Sequence, residues 1–199
     1  MSYPSFFDTT PRITMQDPLA QFLGAAHNGL IEYSYTDVVK LAGHSCPTVA
    51  GAYLMTLKAL KQLYGNDVPQ RGDITVRFRD DQVNGVTGVI ANVVGFITGG
   101  TTDNGFKGLA GKFDRRERLV FNAPIETELE FQRNDTGAIC GVDFHASVVP
   151  ASPQLMPALH RVLSGSATDD ECRQFGQAWQ QRVGQILEDA DRPGLITVS

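Results

Sequence analysis

The segment after Cys46 has the clearest periodic pattern in the chain, with apolar residues three and four positions apart. This spacing predicts a helix over residues 47–64, because a helix brings such positions onto one face. Pro47 suits the first position of that helix, and Gly65 suits the residue just beyond its end. Residues 86–97 repeat the spacing although they are rich in β-branched side chains, and we interpret them as a second, buried helix.

Alternation of apolar and polar residues predicts the strands. Residues 74–79 alternate strictly, which is typical of a half-buried strand. Further strand-like runs follow at 118–121, 125–133 and 138–149. The turn residues from Asn134 to Gly137 would join the last two runs as a hairpin, with Cys140 on its apolar face.

The pattern becomes helical again after Pro150. Residues 155–163 are predicted to form one short helix. The capping box that starts at Thr168 opens a longer helix, in which Cys172 would lie on the buried stripe.

The N-terminal part is less regular. Residues 1–34 are expected to be irregular apart from a short helix at 18–26, and another short helix covers 36–41. Together these elements predict an α+β fold, with a mixed or antiparallel sheet and packed helices. We expect one domain, in which residues 1–150 form the α+β core and residues 151–199 form a C-terminal helical extension.

Composition narrows the possible functions. The 199 residues are enough for a substantial core, and 17 basic against 22 acidic side chains give a net charge of −5. Such a chain is a poor general nucleic-acid binder, because neutralising phosphates needs clustered Lys and Arg. Three cysteines cannot form a disulfide framework or a four-thiolate zinc site. The chain has no secretory signal pattern and no apolar run of about 20 residues, so we expect a cytoplasmic protein without a membrane partner.

The strongest candidate for chemistry is the segment Gly43-His44-Ser45-Cys46-Pro47. If Pro47 begins the helix, Cys46 is its N-cap, where unpaired N–H groups and the helix dipole favour a thiolate. His44 lies two residues earlier in a segment that must be non-helical, so both side chains can point to the same side. The pair would act as a nucleophile with its imidazole partner, or as two ligands of one metal. The alternative is a small buried cysteine beside an ordinary histidine.

Two ligands do not complete a zinc site, which needs four, or three and a water. The hairpin offers Asp143 and His145 on its polar face, either as ligands or with Asp143 orienting His145. A solvent-facing pair is the alternative for both. His27 and His160 are weaker candidates.

The loop from Gly99 to Gly111 contains five glycines. It matches neither a P-loop nor a dinucleotide-binding fingerprint, because the Gly-Lys-Ser/Thr spacing is absent and the loop follows a helix. The loop is either a flexible surface segment or one wall of a pocket lined by polar residues such as Thr101, Thr102, Asp103, Asn104 and Lys107. Arg77 and Arg79, on the polar face of their strand, either bind an anion or face solvent.

From Gly43 to Pro47 the chain resembles the FmdE family, which takes its name from formylmethanofuran dehydrogenase. The motif of this family, H-G-H-x-C-P-G, precedes a helix rich in glycine, alanine and large apolar residues. Further matches are Thr98-Gly99-Gly100-Thr101, where the family has T-G-C-T, and Gly111-Lys112 ahead of a strand. The resemblance covers residues 35–122.

This chain departs from the family motif at four positions. The first histidine is replaced by Ala42, the last glycine of the block by Thr48, an aspartate by Asn92, and the second cysteine by Gly100. The family's C-terminal zinc finger, which some members carry, has no counterpart here.

The resemblance implies an α+β core, a homodimer and a metal-associated cavity near the His-x-Cys motif. It implies that His44 and Cys46 bind a transition metal, zinc in the first place, with nickel, iron or copper as alternatives. We add His145 as the best outside ligand and Thr101 as a cofactor-binding residue of the cavity. Lys112 would hold an anionic group of a small-molecule ligand beside Cys46.

The first hypothesis is therefore an FmdE-like metal-binding protein of undefined reaction. The second is a metal-free enzyme that uses Cys46 as nucleophile with His44. A third is a non-enzymatic metal or redox sensor, or an accessory protein. The sequence leaves open whether the protein is an enzyme.

Overall fold

The computed structural model describes residues 3–199. Its helices are α1 (Phe6–Thr9), α2 (Pro18–Phe22), α3 (Tyr35–Ala42), α4 (Pro47–Tyr64), α5 (Thr87–Thr98), α6 (Leu155–Leu163) and α7 (Asp169–Glu188). Its strands are β1 (Ile13–Gln16), β2 (Leu30–Tyr33), β3 (Ile74–Phe78), β4 (Leu119–Val120), β5 (Leu129–Arg133), β6 (Ile139–Phe144) and β7 (Ile196–Val198). None of the helices in this part of the chain is long and apolar enough to cross a bilayer.

The fold is α+β, as predicted. Five strands form one mixed sheet in the order β4-β3-β5-β6-β7, in which β3 and β4 are parallel and the other neighbours are antiparallel. The register places Phe131 of β5 between Val76 of β3 and Cys140 of β6. All three side chains are fully buried, so this line crosses the centre of the core.

Helix α4 packs against the sheet and matches its predicted bounds residue for residue. It approaches β6 so closely at Gly51 that a Cβ atom there would overlap the ring of Phe144. Glycine is thus required at this position by packing. Helix α5, predicted from its spacing despite its β-branched residues, packs against α4 and ends at Gly99.

The prediction of a long strand over 138–149 is wrong at its C-terminal end, because β6 stops at Phe144 and a 3₁₀ turn covers Ala146–Val148. The guanidinium of Arg182 on α7 donates to the carbonyl oxygens of Ala146 and Val149, at 3.1 and 3.0 Å. These bonds draw the chain away from the sheet.

The prediction that residues 1–34 are irregular is also wrong for the described part of that segment. Strands β1 and β2 form an antiparallel hairpin in which Ile13 lies opposite Tyr33. Ile13 and Met15 are buried while Thr14 is exposed, so even this short run alternates. Helix α2 ends at Phe22, before the predicted position 26. Residues 1 and 2 of the predicted segment lie outside the described residues.

The C-terminal segment forms a strand of the main sheet in addition to its helices. The capping box at Thr168 opens α7 as predicted, but Cys172 is exposed, so its predicted place in the core is wrong. The reason is that the first turns of α7 project beyond the core and its fully buried residues begin only at Val183. After α7 the chain returns to pair β7 with β6.

Candidate functional site

The predicted motif lies in the connection between α3 and α4. Gly43 ends α3 in the left-handed conformation (φ 74°), and its N–H donates to the carbonyl oxygen of Val39. The backbone then runs in an extended conformation to Cys46 (φ −147°, ψ 169°), which is the N-cap of α4. Pro47 occupies the first helical position, as expected.

The sulfur of Cys46 lies 3.5 Å from the backbone nitrogen of Val49, whose N–H donates to it. This contact uses one of the N–H groups that a helix leaves unpaired in its first turn. The positive end of the α4 dipole acts on the same atom, so negative charge on the sulfur is stabilised. Cys46 is a free, partly buried cysteine.

His44 is exposed, and its Nδ1 lies 2.9 Å from the carbonyl oxygen of Ala42. A carbonyl oxygen can only accept, so in this bond Nδ1 carries the proton. In the neutral imidazole the lone pair is then on Nε2. Metal-binding histidines commonly show this arrangement, in which the nitrogen that does not bind the metal donates to a backbone carbonyl.

Ser45, which lies between His44 and Cys46 in the sequence, forms hydrogen bonds with three other side chains. Its carbonyl oxygen accepts hydrogen bonds from Trp179 Nε1 at 3.1 Å and Gln180 Nε2 at 3.0 Å, both on α7. Its hydroxyl lies 3.0 Å from the hydroxyl of Tyr35, the first residue of α3, and burial raises the pKa of Tyr35. These three supporting residues were not predicted. Trp179 and Gln180 are 134 and 135 positions from Ser45, and the sequence near them does not indicate so distant a contact, whereas Tyr35 is ten positions away but belongs to another helix.

The hairpin candidates form contacts of their own. The Nε2 of His145 lies 3.2 Å from the hydroxyl of Thr197 on β7, and His145 is exposed. Asp143 accepts the N–H of Glu128 at 2.7 Å, so the structure shows no hydrogen bond in which Asp143 orients His145.

In residues 3–199 no three His, Cys, Asp or Glu side chains are grouped so as to hold a metal ion. His145 therefore does not join His44 and Cys46 in such a group. His27 lies in a 3₁₀ turn and His160 on α6, and both are exposed.

The glycine-rich loop lines a cavity of about 330 Å³, together with α5 and the end of α3. Its wall contains Asn92, Gly100 and Thr101, so two positions at which the chain departs from the FmdE motif line the same cavity. The hydroxyl of Thr101 donates to the carbonyl oxygens of Asn104 and Arg115, and it thereby holds the loop in shape. Thr102 and Asn104 also line the cavity, at its open side.

Lys112 lies elsewhere, in a cavity of about 380 Å³ whose wall also contains Arg71, Arg115 and Arg118. Neither His44 nor Cys46 lines either of these two cavities. The structure thus distributes the predicted residues over three places, with the pair at the start of α4, Thr101 in one cavity and Lys112 in another.

Of the two arginines considered as anion ligands on β3, Arg77 is held by Glu130 at 2.9 Å and by Gln132 at 2.7 Å. The neighbouring Arg79 pairs with Asp80 at 3.6 Å and is more exposed. Both thus have acidic partners within the described chain, which favours the interpretation as a solvated strand face.

No model of a known protein family matches the chain, and the search of curated proteins gave no match either.

Proposed function

We propose that the protein is an FmdE-like metal-binding protein of the cytoplasm, in which the His44 imidazole and the Cys46 thiolate hold a zinc-type transition metal. The observation that carries the proposal is the hydrogen bond between His44 Nδ1 and the carbonyl oxygen of Ala42, because it leaves Nε2 available as a ligand. The N-cap position of Cys46 adds to it by favouring the anionic sulfur that a metal requires.

The types of ligand atom in this pair suit a zinc-type ion, but two ligands are fewer than such an ion needs. Thiolate and imidazole together are typical of zinc, and they also suit nickel, iron and copper. Because His44 and Cys46 supply two donors only, the other positions would be filled by water, by a small-molecule ligand or by a second copy of the chain. When bound, such an ion would supply Lewis-acid polarisation of a ligand in an open position.

Metal analysis tests the proposal. Protein purified without a nickel column is analysed by mass spectrometry for bound metals, as wild type, Cys46→Ser, His44→Ala and Cys172→Ser. We expect metal in the wild type and in the Cys172→Ser control, since Cys172 is exposed and lies in the first turn of α7, before the residues that contact Ser45, and a strong loss in the other two variants. Equal, negligible metal in all four proteins would refute the proposal.

A second candidate is a metal-free thiol enzyme with Cys46 as nucleophile. The N–H of Val49 that donates to the sulfur favours it, because the same contact stabilises a nucleophilic thiolate. The rate at which iodoacetamide modifies Cys46, measured with and without a chelator, separates the two candidates. Fast modification that is the same in both conditions supports the enzyme, whereas modification that appears only after chelation supports the metal site.

A further inference from the structure

The cavity that contains Lys112 has an unusual charge distribution. Its wall brings together four cationic side chains, from Arg71, Lys112, Arg115 and Arg118. Within residues 3–199 neither Lys112 nor Arg118 forms an ion pair.

The carboxylates at this cavity do not balance its cations. Asp17 lies beneath the wall and accepts hydrogen bonds from Arg71 at 2.9 Å and from Arg115 at 2.7 Å, so one carboxylate serves two guanidinium groups. Asp114 pairs with Arg116, which lies outside the wall. Asp73 is the remaining carboxylate of the wall. Asp114 also lies in the wall, so with its partner Arg116 five cations stand against three carboxylates, and two positive charges remain in excess.

Two N–H donors at the cavity are buried and have no acceptor within the described residues, namely Arg115 Nη1 and Arg118 Nε. Arg115 is 6% exposed, so its guanidinium has little access to water molecules that could accept a hydrogen bond from it. A buried donor without an acceptor is unfavourable, and a charged donor more so. Both donors therefore keep the positive charge of their guanidinium groups without a hydrogen-bond acceptor to offset it, which adds to the positive character of the wall.

The backbone makes room for this arrangement at Gly72. Its φ is +86°, and a Cβ atom there would overlap the guanidinium of Arg115. Gly99 lies on the other side, where a Cβ atom would come within 3.0 Å of both Arg115 and Arg71. Both arginines are thus packed against glycines and held by Asp17. The other donors of Arg71 are used as well, since its Nε and Nη2 donate to the carbonyl oxygens of Ile97 and Phe96 at 3.1 and 3.0 Å, so Lys112 and Arg118 are the cations of the wall without an ionic partner in residues 3–199.

We propose that this cavity is a binding site for the phosphate group of a small phosphate monoester. The excess of two positive charges matches a phosphate dianion, and Arg and Lys are the side chains that proteins use to hold phosphate oxygens. Pro18 and Phe113 form an apolar part of the wall, which suits the organic portion of the ligand. The cavity, at about 380 Å³, is larger than a phosphate ion needs.

Titration calorimetry at low ionic strength tests the site, with glycerol 3-phosphate, inorganic phosphate and acetate as probes. We expect saturable binding of both phosphates and much weaker binding of acetate. The variants Lys112→Gln and Arg118→Gln are each expected to weaken phosphate binding by about tenfold, since each removes a charged hydrogen bond. The matched control is Lys107→Gln, an exposed lysine of the same loop that lies outside the cavity wall.

Circular dichroism checks that each variant is folded. Lys112 is exposed, so its variant decides the question even if Arg118→Gln is unstable. Binding of glycerol 3-phosphate alone supports the site and indicates an organic ligand. Binding of inorganic phosphate as tightly as glycerol 3-phosphate also supports the site and indicates the free ion as the ligand. No saturable phosphate binding, acetate binding of equal strength, or an equal effect of Lys107→Gln and Lys112→Gln would overturn it. The Cys46→Ser variant should still bind phosphate, so the two proposals fail independently.

Discussion

The indole Nε1 of Trp179 donates a hydrogen bond to the carbonyl oxygen of Ser45 at 3.1 Å, and so ties α7 to the residue next to Cys46. The ring of Trp179 also contacts Phe175, with centroids 5.7 Å apart. The C-terminal helix therefore holds the segment that carries the candidate ligands.

We expect Trp179→Phe to make Cys46 more reactive, because the ring is largely kept and the N–H donor is lost. Gln180 still bonds the same carbonyl oxygen, so the cost in unfolding free energy should be small, about 1 kcal/mol. The measurement is the rate of iodoacetamide modification of Cys46, followed by mass spectrometry. Phe175→Leu is the control, since it removes an aromatic contact but keeps the indole N–H. An unchanged rate in Trp179→Phe would show that the bond does not restrain the motif.

The three cysteines should differ in labelling of the native protein. Burial raises the pKa of Cys140 to about 11, so its thiolate is scarce at pH 8. Cys172 is exposed and Cys46 is partly buried, so both should react. Brief treatment with iodoacetamide in the presence of a chelator, which removes any metal held by Cys46, is expected to modify Cys172 and Cys46 but not Cys140, and denatured protein should be modified at all three. Equal native rates at Cys140 and Cys172 would contradict the burial of β6.

Asp17→Asn should destabilise the fold by about 3 to 5 kcal/mol at pH 7, because it leaves Arg71 and Arg115 near each other without their shared carboxylate. Urea unfolding measures the loss. Arg12→Gln is a suitable comparison, since Arg12 and Glu32 form an exposed ion pair that water and salt screen, and its loss should cost little stability. Similar losses in both variants would count against the importance of the buried network.

The same carboxylate makes stability depend on pH. Burial acts to raise the pKa of Asp17, but the hydrogen bonds from Arg71 and from the N–H of Ala20, with the nearby Arg115 charge, outweigh it and lower the pKa overall. The stabilisation is therefore complete above the unfolded-state pKa near 4 and is lost as pH falls through the lower folded-state value. The difference in unfolding free energy between wild type and Asp17→Asn should shrink between pH 5 and pH 2. A difference that stays constant would refute the assignment.

Gly72→Ala should cost more than a substitution at a glycine with similar backbone. Gly72 and Gly137 both have positive φ, at 86° and 74°, but a Cβ atom meets Arg115 only at Gly72 and meets nothing within 4 Å at Gly137. We expect about 1 kcal/mol for Gly137→Ala from the backbone alone, and clearly more for Gly72→Ala. Thermal unfolding compares the two. Gly72→Ala should also weaken phosphate binding, which Gly137→Ala should leave unchanged.

Local sequence patterns were enough to predict those helices and strands whose determining residues lie within or next to the element itself. Pro47, the apolar spacing and Gly65 together defined α4, and Pro47 also indicated that Cys46 is its N-cap. Strand β7 was missed because three residues are too few to show alternation, and its pairing with β6 depends on the whole fold. Cys172 was misplaced because periodicity shows which face of a helix is apolar but not how far the helix extends over the core.

Prediction of the candidate site from the sequence was limited in the same way. The N-cap position of Cys46 depends on neighbouring residues and was predicted, whereas the bond to Trp179 joins residues 134 positions apart. From the resemblance, Thr101 and Lys112 were expected at one cavity beside Cys46, but the chain between them turns at left-handed residues such as Ala110, and the two line different cavities. Sequence proximity therefore did not translate into a shared cavity.

The distance in sequence between Ser45 and Trp179 also has a consequence during synthesis. At translation rates of about 5–20 residues per second, the cysteine motif leaves the ribosome on the order of ten seconds before the tryptophan that ties it down. Throughout that interval the segment that carries Cys46 lacks the bonds from Trp179 and Gln180 to Ser45. This restraint on the motif is therefore among the last that the growing chain can form.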